Sequence, residues 1–164
     1  VYGQQAFGLG QTLHIPMAEA QEMIDRYYEA YPKVRSYLDG VVAKAHEDGY
    51  ATTMFGRKRH IPELRSSNVN LRHFGERTAM NHPMQGSAAD IIKLAMIQVN
   101  KRRREEGLHA HMVLQVHDEL DFECPLDEAD AMAALVADVM DNVVELKVPL
   151  IADVQTGPNW AIAH

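Results

Sequence analysis

The stretch Gln115-Val116-His117-Asp118-Glu119-Leu120 sits between two segments of different character. His111-Met112-Val113-Leu114 precedes it as a short apolar run, and Leu120-Asp121-Phe122-Glu123-Cys124 follows with apolar and acidic residues in alternation. Alternation with a period of two marks a half-buried strand, and the apolar run suits a buried one. Two strands joined this tightly form an antiparallel hairpin. The pattern therefore predicts a hairpin over about residues 112–123 with His117 and Asp118 at its tip. Two carboxylates and an imidazole on stiff backbone suit a hard cation such as Mg²⁺, which takes oxygen ligands and usually only one or two protein carboxylates. An acidic hairpin tip that binds nothing is the alternative reading of the same residues.

The 164 residues suit one domain, or one piece of a larger protein, and can bury a substantial core. No apolar run approaches the roughly 18 residues of a membrane span. A single cysteine, Cys124, rules out an internal disulfide and fits a reducing, cytoplasmic compartment. The opening Val1-Tyr2-Gly3-Gln4-Gln5 reads as if entered in mid-element, which suggests a fragment. Net charge is −7, but residues 57–104 carry 11 Lys/Arg against 3 Asp/Glu, while the remainder carries 5 against 20. That asymmetry points to a basic surface for an anionic partner on an acidic body, or to solvated helix faces.

In chain order, Phe7-Gly8-Leu9-Gly10 reads as a Gly-rich turn after the end of a helix, without phosphate-loop spacing. Pro16 opens an amphipathic helix whose stripe includes Met23, Ile24, Tyr27, Tyr28 and Tyr31, the tyrosines being expected in the core. Pro32 opens a second helix that stops at Gly49, and the two are expected to pack as an αα-hairpin. Residues 50–62 suggest a small hairpin with a basic tip around Phe55-Gly56-Arg57-Lys58. Ser66-Ser67-Asn68 offers N-caps for a helix to about Asn81, which Pro83 should break. A new helix would start at Ser87-Ala88-Ala89-Asp90, a variant capping box, and end in Lys101-Arg102-Arg103-Arg104. Those basic residues suit the helix dipole as well as they suit DNA. A further helix after Pro125 carries Met132, Leu135, Val136, Val139, Met140 and Val143, and Leu150–Val154 reads as a strand. The fold class is α+β, with amphipathic helices packed on a small antiparallel sheet.

Arg77 and Asn81 lie four residues apart on one helix face, and Gln85 opens the segment after Pro83. All three donate hydrogen bonds. Every Watson–Crick pair presents minor-groove acceptors, so such donors test pair shape without reading sequence. By spacing alone the signal is weak, since most such triplets are ordinary surface residues.

Taken together, these segments resemble family A DNA polymerases, the bacterial DNA polymerase I type. Tyr2-Gly3 followed by Phe7-Gly8-Leu9 is similar to the end of the family's motif B, on the long fingers helix. Arg77, Asn81 and Pro83-Met84-Gln85-Gly86 resemble the segment before its catalytic hairpin, and Gln115–Leu120 resembles motif C. Gly157-Pro158-Asn159-Trp160 is similar to the family's C-terminus. The resemblance implies that residues 1–75 form the later part of a fingers subdomain and 76–164 the later half of a palm. It implies that Asp118 is one of two carboxylates for two Mg²⁺ ions, with Glu119 in support and His117 near the primer terminus. Arg77, Asn81 and Gln85 would contact the minor groove of primer–template DNA. Tyr2 would border the templating base and insertion site, with Gly3 allowing close backbone approach.

The implied reaction is template-directed nucleotidyl transfer from a dNTP to a primer 3′-hydroxyl, in DNA replication and repair at the nucleoid. The motif A carboxylate and the motif B Arg and Lys that grip the triphosphate have no counterpart in these 164 residues. The chain by itself is therefore expected to be inactive, and a palm cut in half is expected to expose apolar surface and to self-associate. Two rival readings use the same residues: a DNA-binding module without catalysis, and a small metal-dependent phosphohydrolase built on His117, Asp118 and Glu119.

Overall fold

The computed structural model describes residues 5–163. The chain divides into two compact units, residues 1–87 and 88–164.

In the first unit, the expected Gly-rich turn is instead helix α1, Ala6–Leu13, with Gly8 and Gly10 in its interior. Packing overrides the low helix propensity of glycine here. Gly10 is buried, and a Cβ on it would lie 2.9 Å from the carbonyl oxygen of Ile15 and 3.7 Å from Cβ of Ala20. The missing side chain lets the chain turn back at His14, which takes a left-handed conformation (φ 55°). Helices α2, Met17–Ala30, and α3, Pro32–Asp48, follow as expected, with Pro16 at the N-cap of the first and Pro32 inside the first turn of the second. Gly49 closes α3 at φ 79° and donates its N–H to Ala45 O over 2.8 Å. Ala20 is buried on the first of these helices, and Leu38 and Ala45 on the second. The tyrosines expected in the core form a surface cluster: Tyr27 lies 5.4 Å from Tyr28 and 5.2 Å from Tyr31 between ring centroids, and Tyr31 is exposed. A phenol tip favours water when the ring can still pack on its neighbours.

Strands β1, Tyr50–Thr52, and β2, Lys58–His60, pair antiparallel with Ala51 opposite Arg59. Their loop is a type of three-residue connection in which a turn precedes a left-handed glycine. Thr53 N–H bonds Arg57 O, Gly56 N–H bonds Thr53 O, each over 3.0 Å, and Gly56 has φ 80°. The tip is accordingly Met54-Phe55-Gly56, with Arg57 closing the loop and Lys58 opening the outgoing strand.

A short 3-10 turn, Pro62–Arg65, leads to α4, Val69–Glu105. Asn68 caps α4, its Oδ1 accepting the Asn70 N–H at 2.9 Å. The expected break at Pro83 and restart at Ser87 do not occur, because α4 is continuous through both. Ser87 is not a cap: its hydroxyl donates to Pro83 O and accepts the Met54 N–H over 2.9 Å. Beside it, a Cβ on Gly86 would lie 2.7 Å from Cγ2 of Thr53 and within 3.0 Å of the His82 ring. The core of this unit joins Ala45, Ala51, Ile61, Leu64 and Ala79. Its alanines let α3, the hairpin and α4 approach closely.

In the second unit, strands β3, His111–Val116, and β4, Glu119–Glu123, form a separate two-stranded antiparallel sheet. Helix α5, Ala129–Asn142, buries the expected stripe of Met132, Leu135, Val136 and Val139 against Val99 and Ala110. The segment expected as a strand, Leu150–Val154, joins no sheet among the described residues. An extended apolar run needs a ladder partner to become a strand. Here the Ala152 N–H goes to Asp141 Oδ1 at 2.7 Å, and Val154 packs on the core. A one-turn helix α6, Trp160–Ala163, follows. Among the described residues, no helix is long and apolar enough to cross a membrane.

Two glycine-to-alanine substitutions should have opposite signs. Gly40 lies inside α3, and a Cβ added there would meet nothing within 4 Å. Gly40→Ala should raise stability by about 0.4–1 kcal/mol through lower unfolded-state entropy. Gly86→Ala should lower it, since overpacking costs about 1–3 kcal/mol. Thermal melts of the two variants beside the parent chain check this; a rise in Tm for Gly86→Ala would mean that the Thr53 contact yields freely.

Candidate functional site

Val116 pairs with Glu119 across the β3–β4 hairpin, which leaves His117 and Asp118 as a two-residue turn. Two-residue hairpin turns need positive φ to match the twist of the strands. His117 supplies it at φ 49°, a region in which histidine is enriched among non-glycine residues. Gln115 Nε2 donates to His117 O at 2.7 Å and fastens the turn. His117 and Asp118 are exposed, and Glu119 is half-buried. Asp118 makes no hydrogen bond or ion pair among the described residues, so its carboxylate is available at the apex.

The root of the hairpin is set by a bulge between Met112 and Leu114. Below it, Met112 faces Phe122, and both pack on the core formed by Val99, Ala110 and α5. Above it, Leu114 and Val116 share a face with Asp121 and Glu119. A bulge inserts one residue and turns the strand, so the base of the hairpin is buried while its upper face is presented outward. Val113 and Leu114 are each about half exposed, at 52% and 51%.

A second anchor lies just before β3, and sequence reasoning missed it. Glu128, at the N-terminus of α5, accepts the His109 backbone N–H on Oε2 and meets His109 Nδ1 with Oε1, both at 2.7 Å. These bonds, led by the His109 side chain, hold the Glu128 carboxyl below its usual value. The signal available was an acidic residue at a helix start, which names the carboxylate but not its partner 19 residues back.

On the first unit, Arg77, Asn81 and Gln85 stand at i, i+4 and i+8 of one continuous helix and so form a single stripe. Helix continuity, rather than a bend at Pro83, brings Gln85 onto that stripe. Arg77 and Asn81 are half-buried and Gln85 is exposed. Arg77 borders a cleft of about 320 Å³ with Tyr28, Arg35 and Glu76. None of the three donors is engaged by another described residue. Tyr2 and Gly3 lie outside the described residues. Among the described residues, no group of three or more His, Cys, Asp or Glu side chains could hold a metal ion.

The family model described as DNA polymerase family A matches residues 1–162. The chain belongs to DNA polymerase family A. It is 50% identical over 160 residues to DNA polymerase I of Geobacillus stearothermophilus, covering 98% of this chain and 18% of that protein. It is likewise 50% identical over 164 residues to DNA polymerase I of Mycobacterium tuberculosis, covering 99% of this chain and 18% of that protein. Among solved structures, the POL domain of Pol1 from M. smegmatis, in complex with DNA primer-template and dNTP, matches with a TM-score of 0.86 at 47% identity. That match covers 91% of this chain and 26% of the other. The chain thus spans about a fifth of the length of its family A relatives.

The Glu128 bonds should show in acid. A carboxyl whose folded pKa is depressed contributes stability above its unfolded value, near 4.5, and that contribution is lost as pH falls through the lower folded value. Urea midpoints measured from neutrality down into this range should fall more steeply for the parent chain than for Glu128→Gln. Equal acid slopes would show that the contact with His109 adds nothing to the fold.

Proposed function

We propose that the chain is the part of a DNA-directed DNA polymerase that carries its motif C carboxylate and a minor-groove donor stripe. The observation that carries this reading is Asp118: an unengaged carboxylate at the apex of a hairpin whose root is packed into a core. Family A polymerases are metal-dependent, and the hard oxygen of Asp118 suits Mg²⁺. The described residues do not by themselves make a complete cation site. In this reading Asp118 supplies one ligand and Glu119 supports it. His117, on the same turn, approaches the primer terminus.

Arg77, Asn81 and Gln85 would donate to purine N3 and pyrimidine O2 of primer–template DNA, acceptors that every base pair offers. Residues 1–75 would belong to the fingers and 76–164 to the palm, with Tyr2 and Gly3 beside the templating base. The parent enzyme would act on dNTPs at the cytoplasmic nucleoid. Exposed Ile97, Val113, Leu114, Val148 and Ile151 would be covered there by preceding polymerase segments, or by a second copy of the isolated chain. For the 164 residues alone, the incomplete carboxylate set favours a second reading, a DNA-binding module without turnover.

Primer extension tests the proposal. The purified 164-residue chain, given Mg²⁺ and all four dNTPs, should not extend a primer, whereas a longer chain that restores the sequence before Val1 should. In the longer chain Asp118→Ala should cost at least about 10²–10³ in rate, the cost of losing one strong electrostatic group. Gln85→Ala should slow extension from a paired primer with Tm unchanged. Extension that survives Asp118→Ala would remove Asp118 from the active site, and a large fall in Tm for Gln85→Ala would make Gln85 structural.

A further inference from the structure

The tip of the β1–β2 hairpin puts two apolar side chains where solvent reaches them: Met54 is 56% exposed and Phe55 46%. Single exposed apolar residues are ordinary on protein surfaces. This pair differs in how it is held. Thr53, itself buried, accepts the Phe55 and Arg57 N–H groups on Oγ1 at 3.3 and 3.2 Å. Ser87 accepts the Met54 N–H, and His82 Nε2 meets Arg57 O at 3.3 Å. The loop is therefore fastened to α4 from two sides, and the Phe55 ring is presented by backbone that has little freedom left to lose on binding.

Arg57 at the end of the loop and Lys58, Arg59 and His60 on the outgoing strand are then exposed in succession. Lys58 is steered by the Tyr50 ring, its Nζ 4.4 Å from the centroid. Alternate residues on a strand point to opposite faces, so cations flank both sides of the tip. An aromatic ring among fixed cations complements a polymer that alternates phosphates with flat bases, which is the chemistry of single-stranded nucleic acid.

We propose that Phe55 stacks on a base of a single-stranded nucleic-acid segment while Arg57, Lys58 and Arg59 take the adjoining phosphates. This rests on the nucleic-acid reading above, but it assigns a stacking contact to a residue that reading does not use.

The probe is a fluorescein-labelled oligothymidylate, titrated with the 164-residue chain and followed by anisotropy between about 50 and 200 mM salt. Phe55→Ala should weaken binding about tenfold, within the range of one base–aromatic stack, and leave the salt slope unchanged. Arg59→Ala should instead reduce the slope, by about 0.7 for a single strand. An abasic strand of equal length should bind the parent chain as weakly as the intact strand binds Phe55→Ala. Phe55→Trp in a Trp160→Phe background should restore affinity, with quenching of the new indole on binding. Unchanged melting of Phe55→Ala would confirm that the fold is intact.

Binding by Phe55→Ala within about twofold of the parent, or equal affinity for intact and abasic strands, would overturn the stacking proposal while leaving the polymerase reading untouched. Phe55-dependent binding to phosphatidylserine–phosphatidylcholine vesicles, with no such dependence on oligonucleotide, would also overturn it and identify a lipid surface as the occupant. Failure of the parent chain to bind any oligonucleotide would overturn the stacking proposal and the reading of the isolated chain as a DNA-binding module, while primer extension by the longer chain tests the polymerase reading separately.

Discussion

Pro83 has no N–H to give the carbonyl of Ala79, and its ring crowds that carbonyl, a combination that costs an interior helix about 3 kcal/mol or more. Helix α4 nonetheless runs from Val69 to Glu105. The residues around the proline supply offsetting interactions. Ser87, one turn on, places its hydroxyl on the Pro83 carbonyl and uses the same oxygen to receive the Met54 N–H. Gly86 leaves room for Thr53 to sit against the helix. A helix weakened at one turn is thereby stitched to a hairpin, and the hairpin gains a rigid loop. Continuity of α4 is what keeps Arg77, Asn81 and Gln85 in one stripe.

The second hairpin solves a different problem. Asp118 is exposed at a tip whose backbone is nonetheless held in place. The bulge after Met112 lets the same two strands be buried at the root and open at the top. His117 then closes the turn in a conformation that glycine or asparagine would adopt more easily. A histidine there sacrifices some turn propensity, and the Gln115 bond to its carbonyl helps hold the turn. His109 and Glu128 fix the entry to β3, so the hairpin is held at its base by packing and just before it by a charge-assisted contact.

Alternation of apolar and acidic residues is enough to read the β3–β4 hairpin and place Asp118 at its apex, because period-two patterning and a tight join are local. The α2–α3 pair and the α5 stripe are legible for the same reason. The failures share one cause. Gly8 and Gly10 read as a turn, Pro83 reads as a break, and Leu150–Val154 reads as a strand, each on local propensity. In the first two cases a distant contact decides otherwise: Gly10 against Ile15 and Ala20, and Ser87 with Met54. In the third, no ladder partner is present among the described residues. The family resemblance rests on residue identities at the motifs, which do not depend on those secondary-structure assignments. That is why the match to DNA polymerase family A stands although the segment around Gln85 folds differently from the local reading.

Charge follows the same division between what is local and what is engaged. Residues 57–104 are basic overall in sequence, but their two ends differ in the fold. Arg102 bonds Asp138 and also pairs with Glu106 at 3.0 Å, contacts that raise its pKa further. Lys101 pairs with Glu105, and Arg103 bonds Leu108 O and Asn100. These residues close the C-terminal end of α4 and tie it to α5, where cations also suit the helix dipole. An acidic neighbour already satisfies much of that charge, so a phosphate would have to displace it. Arg59 and Arg77 have no such acidic partner among the described residues, and Lys58 rests on a ring rather than a carboxylate. Attraction for a polyanion therefore concentrates on the β1–β2 hairpin and the first half of α4. A chain of net charge −7 can present such a face because most of its carboxylates lie outside residues 57–104 and, at moderate salt, act weakly beyond about a Debye length.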